Sequence, residues 1–184
     1  MNPGDRNNIH DEGYPKYGGL IFLIGFMGSG KTFWGKKWAK LSGLPFFDID
    51  EMIERDEGRS ATTIFAEDGE NYFRNLETDA LRSFAGKKQM ISATGGGTPC
   101  FNDNITWMNS QGITTYLKSA PSKIFKRLVT EKETRPLVKH LKDEELLFYI
   151  TEKIKERDFF YNKAKVVLDV DNLSENYVPD FLIV

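Results

Sequence analysis

Only one cysteine, Cys100, occurs among 184 residues, so no intrachain disulfide can form. That usage suits a reducing compartment, and Cys100 reads as a small packing residue near a loop. Long apolar runs are also missing: none approaches the roughly 20 residues that a membrane-spanning helix needs. The polar stretch Met1 to Gly19 has no apolar signal-peptide core. It is expected to be a flexible N-terminal leader ahead of one domain over residues 20–184. Together these absences point to the cytoplasm and away from a membrane. Excess charge of one sign is lacking too. Twenty-five Lys and Arg face 27 Asp and Glu, the net charge is −2, and there is no basic block. Nucleic-acid binding therefore has no electrostatic footprint. The two histidines, His10 and His140, have no neighbours that would make a metal site or an activated nucleophile. Repeats, low-complexity segments and interdomain linkers are absent as well. What remains, 40% hydrophobic and 28% charged residues, is the balance of an ordinary globular chain with a real core.

Against that background one stretch stands out. Gly25-Phe26-Met27-Gly28-Ser29-Gly30-Lys31-Thr32 fits G-x-x-x-x-G-K-[ST], the phosphate-binding P-loop. The apolar run Leu20 to Ile24 before it reads as a buried strand. Thr32 to Leu41 after it has helical periodicity. Strand, glycine-rich turn and helix is the setting the motif requires. Successive backbone N–H groups can then curl around an anion, and the helix adds its positive end. Gly28, Ser29, Gly30, Lys31 and Thr32 are thus candidate ligands of a nucleoside triphosphate. Lys31 would reach the β- and γ-phosphates and the Thr32 hydroxyl would ligate Mg²⁺.

Further strand patterns occur at Pro45–Asp48, Met90–Thr94, Gly112–Leu117 and Lys165–Val170. Helical patterns cover 50–57, 60–66, 70–84, 102–109, 121–129 and 144–161, with a last short helix expected from Ser174. Strands alternating with helices predict an α/β fold with a parallel sheet covered on both faces. Ligands bind such sheets beyond the carboxyl ends of the strands. The P-loop, Asp48-Ile49-Asp50 and Gly95-Gly96-Gly97 then share one rim.

Several residues on that rim could carry chemistry, and each also has an ordinary structural reading. Asp48 could hold a Mg²⁺ water, and Asp50 could accept the proton of an acceptor hydroxyl. Asp50 equally reads as a helix N-cap before Glu51-Met52-Ile53. Arg74 and Glu77 share a helix face at i,i+3. The carboxylate could fix the guanidinium and leave its fork for an anion, or the two could be a plain surface pair. Three consecutive glycines are entropically costly. They fit close approach of a ligand to the backbone, or a tight loop. No Asp ends the Met90–Thr94 strand, so metal binding leans on Thr32 and Asp48. The polar, basic stretch at about 131–142 looks like a lid, from which Arg135 could cover a transferring phosphoryl group. Arg157 could supply a second cation. Trp34 and Trp38, at i,i+4, read as core packing.

In this order and spacing the motifs resemble the shikimate kinase family, from Leu20 to about Val170. The parts are Gly25 to Thr32, Phe47-Asp48-Ile49-Asp50, Ile64-Phe65, and Asp68-Gly69-Glu70 leading to Phe73-Arg74 and Glu77. Gly95-Gly96-Gly97, Thr134-Arg135-Pro136-Leu137 and Arg157 with Tyr161 and Ala164 follow. The resemblance implies a three-layer P-loop fold of the nucleoside-monophosphate-kinase type, with five parallel strands in the order 2-3-1-4-5 and a mobile lid. It implies Mg-ATP-dependent phosphorylation of the 3-hydroxyl of shikimate, on the route to chorismate and aromatic amino acids, by a monomer. It further implies Asp50 as base, Arg74 and Arg157 on the acceptor carboxylate, and backbone N–H groups of Gly96 and Gly97 lining the acceptor site. Phe65 and Phe73 would be its apolar walls, Arg135 the lid arginine and Asp48 the acid behind the Mg²⁺ shell. A gluconate or nucleotide kinase, or a non-catalytic nucleotide-binding module, are the competing readings. Two departures stand out. Phe33 occupies a position where Ser or Thr is common, which predicts weaker nucleotide binding. The loop near Asp169-Val170-Asp171-Asn172 fits only loosely.

Overall fold

A computed structural model describes residues 19–131, 138 and 140–182. The expected leader, apart from Gly19, and the expected lid arginine, Arg135, lie outside the described residues, as does most of the stretch at 131–142. In chain order the elements are β1 (Leu20–Ile24), α1 (Lys31–Ser42), β2 (Phe46–Asp48), α2 (Ile49–Glu57), α3 (Ala61–Glu67) and α4 (Gly69–Arg82). Then come β3 (Met90–Ala93), a 3₁₀ turn (Thr98–Cys100), α5 (Asn104–Gln111), β4 (Gly112–Lys118), α6 (Pro121–Glu131), α7 (Asp143–Tyr161) and β5 (Val166–Asp169). A second 3₁₀ turn at Asp180–Leu182 ends the described chain.

The five strands form one sheet in the order β2-β3-β1-β4-β5, and every pairing is parallel. This is the expected order. β1 explains the layering by itself. Its side chains alternate between faces: Leu20, Phe22 and Ile24 enter one core while Ile21 and Leu23 enter the other. Both faces are covered, so the strand is a continuous apolar run with no polar alternation. The larger core lies beneath the helices of 49–161, and Val138 is anchored in it. The smaller core packs α1 and the C-terminal segment against the sheet, with Trp38 fully buried. The Trp34 and Trp38 rings stack within it at 5.3 Å, which settles them as packing residues. Among the described residues no helix is long and apolar enough to cross a membrane.

The helix expected from Ser174 does not form. Residues 175–176 make a turn instead, and the helical geometry appears only at Asp180–Leu182. Pro179 disfavours helical geometry in the residue before it. The Tyr177 carbonyl is taken by the Trp38 indole N–H at 3.0 Å.

Candidate active site

The phosphate cradle is built from the strand-to-helix junction. Gly30, at φ 91°, turns the chain into α1 in a conformation that favours glycine. No side chain caps α1, so the N–H groups of its first turn are left for an anion. Trp34 props the turn from within: a Cβ at Gly30 would lie 3.3 Å from its Cδ1. Buried Lys31 lies across the loop, its ammonium donating to the carbonyls of Gly25 at 2.9 Å and Phe26 at 3.0 Å. The Ser29 hydroxyl is buried with no hydrogen-bond partner, an orphan polar atom that fits a polar ligand at the loop.

The Thr32 hydroxyl donates to Asp48 Oδ2 at 2.8 Å. Asp48, not Asp50, is the N-cap of α2, and its Oδ1 accepts from the Asp50 N–H at 3.1 Å. The cap reading of Asp50 is therefore corrected: the helix begins at Ile49, so the cap falls two residues earlier. That leaves the Asp50 carboxyl to the cleft.

A cleft of about 520 Å³ runs along this rim. Asp50, Thr94 and Gly96 line it on the β2–β3 side. The P-loop lies in the middle, and Arg127 and Val170 stand on the β5 side. Phe65, Phe73, Arg74, Gly97 and Arg157 do not line this cleft itself. They gather behind its glycine end.

The glycine triplet is where these groups meet. A Cβ at Gly95 would come within 2.9 Å of Asp50 Oδ1 and closer still to Glu77 Oε1. At Gly96 it would lie 3.4 Å from Arg157 Nη1, and at Gly97 2.5 Å from Arg74 Nη1. The triplet is thus required by close approach of side chains, which gives its entropic cost a reason. Asp50, Arg74 and Arg157 converge on three consecutive residues.

Glu77 organises the acidic and basic groups. It is completely buried, accepting from Arg74 Nη1 at 2.6 Å and from the Thr98 hydroxyl at 2.5 Å. Glu70 accepts from Arg74 Nε at 3.2 Å and Nη2 at 2.9 Å. These three bonds leave one N–H on each terminal nitrogen of the five-donor guanidinium. Glu77 does fix the guanidinium and the pair is buried, so the plain surface-pair reading is corrected, and Glu70 shares the contact. Burial lowers the Arg74 pKa, but Glu77 and Glu70 outweigh that and the net shift is upward. The guanidinium lies 5.4 Å from the Phe65 ring, 5.9 Å from Phe73 and 4.5 Å from Phe101. Phe65 and Phe73 pack at 4.5 Å and so form an apolar wall around it. Arg157 stands 5.7 Å from the Phe26 ring, and the Tyr161 hydroxyl donates to the Gly96 carbonyl at 2.6 Å.

Burial, reinforced by the Glu77 and Asp48 carboxylates and opposed by Lys31, pushes the Asp50 carboxyl from its ordinary 3.8 up to about 7. An acid in that range can hold or release a proton at neutral pH.

The comparisons with known proteins agree with this geometry. A family model described as shikimate kinase matches residues 27–183. The chain belongs to the shikimate kinase family. The shikimate kinase of Parabacteroides distasonis is 44% identical over 161 residues, 87% of this chain and 93% of the relative. The crystal structure of the shikimate kinase from Bacteroides thetaiotaomicron superposes with a TM-score of 0.83 at 37% identity, covering 87% of this chain and 91% of that one. The Acinetobacter baumannii shikimate kinase, solved in complex with shikimate, gives 0.75 at 32% identity and covers 85% of each chain. Family membership makes the chain an ATP-dependent phosphotransferase with an alcohol acceptor. It also sets aside the gluconate-kinase, nucleotide-kinase and non-catalytic readings.

Three residues around the site went unrecognised in the sequence. Arg127 donates to the Gly28 carbonyl at 2.9 Å, 99 positions away, and meets Asp171 at 3.5 Å. Asp171 accepts from the Ser119 hydroxyl at 2.6 Å and the Ala120 N–H at 2.7 Å. This ties the loop after β5 to the start of α6. Thr98, as the second partner of Glu77, is the third. No local pattern marks any of them, because each partner lies on a different element.

Proposed function

We propose that this cleft transfers the γ-phosphoryl group of Mg-ATP to the 3-hydroxyl of shikimate, giving shikimate 3-phosphate and ADP. The enzyme would act as a cytoplasmic monomer in the pathway to chorismate and aromatic amino acids. The observation that carries the reading is the convergence of Asp50, Arg74 and Arg157 on Gly95-Gly96-Gly97, at the end of a cleft that contains Lys31.

In this reading the roles are divided by position. The P-loop amides and Lys31 hold the triphosphate, with Lys31 exchanging its two carbonyls for phosphate oxygens. Arg74 and Arg157 receive the acceptor carboxylate at the Phe65–Phe73 wall, while the amides of Gly96 and Gly97 border the ring. Asp50 then accepts the proton of the hydroxyl that attacks. Phosphoryl transfer depends mainly on such positioning and charge stabilisation. Arg135 is assigned to the lid by the family pattern.

The donor set fits magnesium. Thr32 Oγ1 and Asp48 Oδ2 are hard oxygens 2.8 Å apart. Among the described residues no cluster of three or more His, Cys, Asp or Glu could cage an ion. That suits Mg²⁺, which keeps several waters and is shared with substrate phosphates. Thr32 would hold the ion directly and Asp48 through a water. When bound, the ion supplies charge neutralisation on the phosphate oxygens.

A coupled ADP-release assay tests the reading. Turnover that needs both Mg-ATP and shikimate is expected. Turnover on gluconate or a nucleoside monophosphate, with none on shikimate, would overturn it.

A further inference from the structure

Phe33 remains unexplained by the proposed chemistry. It is 62% exposed, yet it lines the cleft. Trp34 and Val170, which also line it, are each only 7% exposed. An open phenyl ring in a cleft otherwise shaped for phosphate calls for an apolar neighbour.

The ring already has two neighbours before anything binds. Trp34 meets it edge-on, with centroids 5.4 Å apart and planes at 80°. The Lys37 ammonium stands 5.9 Å from its centroid and 5.5 Å from that of Trp34. That ammonium is itself held by the Glu175 carbonyl oxygen. A ring anchored in this way loses little freedom on binding. Phe33 is the third residue of α1, and helix Cα–Cβ bonds tilt toward the N-terminus. Its side chain therefore leans toward the end of the helix where the phosphates would sit.

We infer that the Phe33 ring is a platform for the sugar–base part of the phosphoryl donor, and so a residue that sets donor affinity. Phosphate cannot be its partner, because the face of an aromatic ring is negative and repels an anion. A nucleoside has a flat base and the carbon face of a sugar, both of which a phenyl ring can cover. The inference rests on the reading of this cleft as the nucleotide site. It also reverses the sequence-level expectation: Phe33 forgoes a hydroxyl contact to phosphate but adds an apolar contact further along the donor.

The test compares two probes on the full-length protein with Mg²⁺: ADP, and inorganic tripolyphosphate, which has no nucleoside. Phe33→Ala should weaken ADP binding and raise the ATP KM about tenfold, in the range of a lost base–aromatic contact. Tripolyphosphate affinity and the shikimate KM should stay unchanged, and Phe33→Tyr should keep ADP affinity. Equal losses for ADP and tripolyphosphate would overturn the inference, since the ring would then act through the P-loop. An unchanged ADP affinity in Phe33→Ala would overturn it as well. If the unmodified protein binds neither probe, the nucleotide-site reading itself fails, which is a different outcome from either.

Discussion

Replacing Asp50 with Asn should remove activity and stabilise the protein at the same time. Asp50 is held near 7 by burial and by the carboxylates of Glu77 and Asp48. Its folded-state pKa lies above its unfolded value, so the folded protein binds the proton more tightly. Stability from this group is complete below about pH 4 and is lost as pH rises toward 7. At about 1.4 kcal/mol per pH unit, the interval from 3.8 to about 7 sets a ceiling of about 4 kcal/mol. Partial contact with solvent at the cleft screens that cost, so a gain of about 1–2 kcal/mol is the expected size. For a chain of this length it corresponds to a rise in Tm of roughly 3–6 °C. Asn has the same shape, and the cap of α2 belongs to Asp48, so the helix start is untouched. The assay is thermal unfolding of both proteins at pH 8 and pH 5, without nucleotide and with chelator. The gain should be largest at pH 8 and markedly smaller at pH 5, where the native Asp50 keeps its proton but the unfolded one has begun to lose it. Turnover at pH 8 should fall by roughly two to four orders of magnitude, as for loss of a general base. A destabilised Asn variant at pH 8, or an equal gain at both pH values, would refute the account of Asp50.

The remaining predictions concern its neighbours. In native enzyme, kcat/KM for shikimate should rise with pH to a plateau, with a midpoint near 7 if Asp50 must be ionised; a flat profile between pH 5.5 and 8.5 would contradict this. Lys31→Ala should lower kcat by roughly two to three orders of magnitude while circular dichroism stays native, and near-normal turnover would remove Lys31 from the chemistry. Arg74→Ala should raise the shikimate KM roughly 10- to 100-fold, the worth of a charge-assisted bond to a carboxylate; an effect confined to the ATP KM would misplace the acceptor. Gly35→Ala would set a Cβ against the Phe46 ring and 3.1 Å from Leu23 Cδ1. Lifting α1 from the sheet in this way should cost about 1–3 kcal/mol, and an unchanged Tm would show that the packing there is loose.

How far these features could be read in advance depended on distance along the chain. The P-loop was legible because its strand, glycines and helix are consecutive. The Arg74–Glu77 pair was legible because three residues on a helix face are neighbours. Its burial was not, since Thr98 closes it from 21 positions away. The strand order could be expected only through the family resemblance. Parallel strands pair across long crossovers, as Phe46 does with Ile91, and periodicity does not encode partners. Asp48 and Asp50 show a finer limit. Either could cap a helix by local rules, and the register of α2 decided between them. Arg127 had no local mark at all: its worth lies in the Gly28 carbonyl, on the far side of the sequence.

The polarity of the acceptor pocket also bears on which hydroxyl would react. Asp50 and Glu77 meet the glycine triplet at Gly95, whereas Arg157 and Arg74 meet it at Gly96 and Gly97. Glu77 is neutralised in part by Arg74, so the negative side that faces the cleft is chiefly Asp50 and Asp48. An acceptor that carries one carboxylate and several hydroxyls can enter this field in only one favourable sense. Its carboxylate would be repelled from Asp50 and drawn to the arginines, which would turn its hydroxyl edge toward Asp50 and Lys31. The reverse pose would put like charges within a few ångströms at low local polarity, costing several kcal/mol. Regioselectivity would thus come from charge placement as well as from shape. An acceptor without a carboxylate, such as a neutral polyol of similar size, would lose orientation along with affinity. Its kcat should therefore fall together with its kcat/KM. If such a polyol were turned over at the kcat of shikimate, with only KM raised, the two arginines would be binding the acceptor without aiming it.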